Sequence, residues 1–128
     1  MLALLLLLAC NQPPPPPPPP PATLAEVRAQ LQAALVLAKD GRSYQALTQV
    51  QACYQRFDAD IEPWARHAVG ERAVLELEYT FARLQHDLQD RAGHPARLGA
   101  QLDATLAALP VPPPAAATDP NTAPRSEP

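Results

Sequence analysis

The chain has 128 residues, is 47% hydrophobic and 18% charged, carries a formal charge of −3 and contains 18 prolines. That length holds one small folded unit and excludes a large multi-domain enzyme. The acidic balance removes the electrostatic basis for nucleic-acid binding, which draws on clustered Lys and Arg. The prolines form an unbroken run, Pro13–Pro21, and a second group from Pro110 to Pro128, with only Pro63 and Pro95 between. This predicts a leader at 1–9, a tether at 10–22, a folding segment at 23–109 and a disordered tail at 110–128.

Leu2 to Ala9 are apolar but too few to span a bilayer, which needs about 20 residues, and they read as the core of an export signal. Leu7-Leu8-Ala9-Cys10 resembles the lipobox of bacterial lipoproteins, in which the cysteine is lipidated and becomes the mature amino terminus. Several acyl chains on Cys10 give stable anchoring where one would not. Asn11 is not the Asp that resembles an inner-membrane retention signal. The expected location is therefore the bacterial cell envelope, on the periplasmic face of the outer membrane. No Lys or Arg precedes Arg28, and an export signal without its basic start leads to the expectation of a translation start upstream of Met1. Pro13–Pro21 then predicts a polyproline II rod of about 28 Å holding the folded part clear of the lipid.

Between 23 and 109 the apolar residues recur at three and four, strands have no signal, and Ala, Leu, Gln, Glu and Arg dominate. Thr23 with Glu26 forms a capping box that opens a first helix along Leu24, Val27, Leu31, Leu35 and Ala38, with Gly41 as its stop. A second helix from Ser43 presents Tyr44, Leu47, Val50, Tyr54, Phe57 and Ile61. Pro63 breaks it and starts a third helix reaching Ala92, with Val74, Leu77, Phe81, Leu84 and Leu88 on one side and Gly93 after its end. Pro95 opens a fourth, with Leu98, Leu102, Leu106 and Leu109. Four amphipathic helices with short connections predict an all-α, up-and-down antiparallel four-helix bundle.

Chemistry is sparse. Once Cys10 is lipidated, Cys53 has no partner thiol and reads as a buried small hydrophobe. No zinc spacing, P-loop or nucleophile elbow occurs, and no nucleophile–base pair can be assembled, so the expectation is that the protein is not an enzyme. The acidic residues are more informative. Asp58 and Glu62 lie four apart, Glu71 and Glu78 two turns apart, and Glu78 borders the buried stripe between Val74 and Phe81. His67 precedes Glu71 by four. Carboxylates with a histidine facing a bundle interior suit a hard metal such as iron or manganese.

The segments Gly41-Arg-Ser-Tyr44-Gln-Ala46, Cys53-Tyr54-Gln-Arg-Phe57-Asp58-Ala-Asp-Ile61-Glu62-Pro63 and Glu78-Tyr-Thr-Phe81-Ala-Arg-Leu84 together resemble the extracytoplasmic helical domain of bacterial high-affinity iron permeases. The resemblance covers residues 23–109. Arg56 stands where that family tends to have Gly, Asp58 where it has Glu, and its intramembrane Arg-Glu-x-x-Glu motifs do not occur in these 128 residues. It implies a lipid-anchored accessory to iron uptake. Such a protein would bind iron or dock on a permease through Asp58, Glu62 and Glu78, with His67 and Glu71 as further metal candidates. The alternative is a non-catalytic envelope adaptor that meets another protein through a helix face.

Overall fold

The structure is a computed structural model; it describes residues 13–113, so Cys10, the leader and the tail beyond 113 lie outside it. The described residues form α1 (Pro21–Lys39), α2 (Ser43–Arg56), a π-helical turn (Phe57–Ile61), α3 (Glu62–Val69), α4 (Glu71–Asp90) and α5 (Pro95–Ala107). Among them there is no strand, and no helix is long and apolar enough to cross a membrane. α1, the α2–π–α3 arm, α4 and α5 are the four arms of an up-and-down bundle, each packed on its neighbours in a ring.

The first helix begins earlier than the capping box predicts. Pro21 occupies the first turn, and neither Thr23 nor any other side chain caps the helix. Proline's fixed φ already suits a first helical position, and its missing N–H has no partner to lose there. The prolines before it are not a free rod throughout. Pro19 is buried, and Pro16–Pro20 share a shallow groove with Ala59, Asp60, Pro63 and Trp64. At the other end, Arg42 N–H reaches Leu37 O (2.9 Å) and Gly41 N–H reaches Ala38 O (3.1 Å). These are the two bonds of a Schellman stop, with Gly41 at φ 78°.

Pro63 does not divide the chain as expected. It lies in the first turn of α3, which follows the preceding helix without a gap. Within a regular α-helix its ring would strike the carbonyl four residues back and remove a bond. The turn before it instead opens, so that Glu62 N–H bonds Phe57 O five residues earlier. The real break is Gly70, at φ 91° and ψ 161°, a region essentially reserved for glycine. The predicted third helix, 63–92, is therefore two helices folded back on each other at a single residue. It also ends sooner, at Asp90, with Arg91 left-handed at φ 51°.

The core follows the predicted stripes closely. Val74, Leu77, Phe81, Leu84 and Leu88 are all buried, as are Leu98, Leu102, Leu106 and Leu109. On α1, Ala34 takes the central place and Leu35 is half-buried; on α2, Tyr44 is 77% exposed and Ala46 replaces it inside. Phe57 and Tyr54 stack in tilted fashion on Phe81, with centroids 5.4 and 5.3 Å apart. Gly99 is buried, and a Cβ there would collide with the methyl groups of Leu35, so α5 approaches α1 at close range.

Candidate metal centre

Glu62 stands eight residues before Gly70 and Glu78 eight after it. Had one helix run from 63 to 92, sixteen residues at 1.5 Å each would hold these carboxylates about 24 Å apart. The reversal at Gly70 makes α3 and α4 antiparallel neighbours, and positions equidistant from the turn meet. Asp58, Glu62 and Glu78 each offer a carboxylate oxygen within 4.8 Å of the other two.

The π turn contributes the second alignment. Residues four apart drift by about 40° around a regular helix, which over three steps would scatter Tyr54, Asp58, Glu62 and Arg66 around the axis. The wider turn at 57–61 winds back part of that drift. Tyr54 and Glu78 line one open cleft of about 380 Å³ with Gln85, His86 and Gln89.

Glu62 is the only buried charged residue among those described, at 5% exposure. Its Oε1 accepts from Arg66 Nε (3.0 Å) and from Nη2 of the same guanidinium. Its Oε2 is buried and, with the neighbouring carboxylates ionised, has no hydrogen-bond donor. Arg66 spreads further, with Nη1 3.5 Å from Glu71 Oε1 and Nη2 3.7 Å from Glu78 Oε1. One guanidinium thus serves Glu62, Glu71 and Glu78 together, and Asp58 makes no ion pair among the described residues.

The electrostatics carry that imbalance. The Asp58 carboxyl is raised above its ordinary value of 3.8, mainly by a hydrogen bond with the Glu62 carboxyl and the negative charge there, against the opposing pull of Arg66. The neighbouring negative charge thus favours the protonated form of Asp58. The Tyr54 phenol is raised too, first by burial and then by the charges of Glu78, Asp58 and Glu62.

Of the five residues singled out as metal candidates, the fold brings Asp58, Glu62 and Glu78 together. His67 is exposed near the end of α3 and stands outside the cluster. Gly70 lies between it and Glu71, so their spacing of four no longer describes one helix face. Glu71 is 70% exposed and meets Arg66 instead of the other carboxylates. Tyr54 and Arg66 were not foreseen as parts of the site. The signal available was the run Tyr54, Asp58, Glu62, Arg66 at a constant spacing of four. Oxygen donors without imidazole or thiolate suit a hard cation of high charge, iron included.

Cys53 has no part in this chemistry. It is fully buried, its Sγ donates to Val27 O at 3.3 Å, and burial pushes the thiol up to about 12. The chain matches no family model, no curated protein and no solved structure.

Proposed function

We propose that the protein binds a hard multivalent cation through Asp58, Glu62 and Glu78, as a lipid-anchored accessory to iron uptake at the bacterial cell envelope. The observation that carries the reading is Glu62, which is buried with an unpaired Oε2 and offers one carboxylate oxygen within 4.8 Å of those of Asp58 and Glu78. A buried carboxylate oxygen without a partner costs about 1–3 kcal/mol or more, and a coordinated cation removes that cost while neutralising the surplus charge. Iron is the first ion to try, because the sequence around these residues resembles the iron-permease domain. Anchoring through Cys10 belongs to the same proposal and would bring the site to a membrane surface.

Calorimetric titration of the full chain with ferrous and ferric iron tests the binding. The expected result is a saturable heat and a rise in melting temperature, both lost in Glu62→Gln and Glu78→Gln. No heat and no thermal shift in the wild type would end the metal reading. Mass spectrometry of membrane fractions tests the anchor: a lipidated Cys10 amino terminus supports it, and intact Met1 in a soluble fraction refutes it.

A second reading, the envelope adaptor, is favoured by one feature. Val36 is 61% exposed, beside an open apolar groove between the end of α1 and the start of α5, formed by Leu35, Val36, Ala38, Pro95 and Ala96. Recovery of one specific envelope protein by wild type, and not by Val36→Asp, would support that reading.

A further inference from the structure

Arg66 occupies the ground a bound cation would need. It holds Glu62 Oε1 through Nε at 3.0 Å and lies 3.7 Å from Glu78. Two of the three clustered carboxylates therefore already share a positive charge. Glu62 is 5% exposed, and a carboxylate that deeply buried does not stand without a counterion, because removing one partner of a buried pair leaves an uncompensated charge. Glu62 cannot release Arg66 into nothing. It can exchange it.

The two partners differ in freedom. Glu62 is fixed inside the bundle, whereas the Arg66 side chain is 43% exposed at the end of a long flexible stem. On its outer side it already has another carboxylate, Glu71, 3.5 Å from Nη1 and itself 70% exposed. The guanidinium thus has a destination across the Gly70 turn that needs no rearrangement of backbone. An arriving ion must bring more charge than the one it displaces: a monovalent ion replaces one positive charge with one, and a divalent or trivalent ion gains against all three carboxylates.

Resting on the cation-binding reading above, we infer that Arg66 is a displaceable internal counterion, held on Glu62 and Glu78 when the site is empty and transferred to Glu71 when a multivalent cation enters. The exchange makes the site selective for charge, and it makes Arg66 and Glu71 regulators of affinity that are not themselves ligands. It also keeps the cluster folded when no metal is present.

The test is a double-mutant cycle with manganese(II) as the probe, by calorimetry on the full chain. Arg66→Gln is expected to bind about tenfold tighter than wild type, since nothing need be displaced. Glu71→Gln is expected to weaken binding about threefold in the wild-type background and to have no effect beside Arg66→Gln, because the destination matters only when Arg66 must move. Tighter binding in Arg66→Gln together with that non-additivity supports the exchange. Equal affinity of Arg66→Gln and wild type overturns it, as does an equal effect of Glu71→Gln in both backgrounds. Should Arg66→Gln fail to fold, Arg66→Lys takes its place; an ammonium grips Glu62 less firmly than the guanidinium fork, so binding about threefold tighter is expected, and unchanged affinity overturns the exchange. If neither wild type nor any Arg66 variant binds manganese or iron, the cation-binding reading itself falls, which is a different outcome from equal binding by all.

Discussion

Asp58 and Asp103 are both aspartates beside an ionised neighbour, and the neighbour's sign decides their behaviour. Asp103 is held below its ordinary value by the Arg28 guanidinium, whose Nε and Nη2 donate to its two oxygens at 2.9 and 3.2 Å. Asp58 is raised by the Glu62 carboxyl. A raised carboxyl stabilises the fold below its unfolded value, and that contribution is lost as pH climbs through the higher folded value. Asp58→Asn is therefore expected to gain stability on wild type as pH rises from 3.8 towards neutrality. Urea denaturation of both proteins across that range in chelator-treated buffer is the measurement. A constant difference between the two at every pH would contradict the assignment. Under the proposed cation binding, adding manganese(II) should reverse the order at neutral pH, because the carboxylate charges that repel one another are then bridged.

At the scale of the element, two irregularities shape the site, the π turn at 57–61 and the reversal at Gly70, and they were legible in the sequence to different degrees. The stripes on α4 and α5 are legible position by position, because burial selects the apolar face and that face has a fixed period. The period says nothing about a change of axis. Val69, Gly70 and Glu71 can be laid on a continuous helix without disturbing the stripe that starts at Val74, so periodicity leaves Gly70 unmarked and assigns the break to Pro63. Proline was the stronger punctuation by rule, but widening one turn accommodated it. Glycine was the residue whose backbone the fold could not replace. Gly70→Ala is expected to lower stability by about 1–3 kcal/mol, the strain of a side chain at φ 91° and ψ 161°. It should also weaken cation binding, since Glu62 and Glu78 meet only through that turn. Space is not the cause, for a Cβ there would touch nothing within 4 Å. Unchanged melting and unchanged affinity would show the reversal to be held by other means.

For the whole molecule, the bundle itself was the most legible feature, and the cluster of Asp58, Glu62 and Glu78 the least derivable from spacing. Helical periodicity with short connections leaves few arrangements for four arms, whereas a site made across two arms depends on where the chain turns. Arg66 illustrates the difference: an arginine near a helix end reads as a solvated charge until α4 folds back and brings Glu78 beside it. The ring of arms closes between first and last, where Arg28 on α1 grips Asp103 on α5 and Leu35 fills the space left by Gly99. Asp103→Asn is expected to cost about 1 kcal/mol at neutral pH, the scale of a partly exposed pair, and progressively less as pH falls through the lowered Asp103 value. Chemical denaturation at two pH values checks both the size and the trend.

The groove in which Pro16–Pro20 meet Trp64 has an optical consequence. Trp64 is the single tryptophan of the chain, 8% exposed, with the prolines on one side and α3, the helix of Glu62 and Arg66, on the other. Its emission wavelength therefore reads the polarity of one place alone. Lifting the prolines away would admit water to the indole and shift the light it emits to the red, while the helices stayed folded. The protein thus carries its own fluorophore where the proline run meets the bundle, and its colour reports whether the two stay in contact.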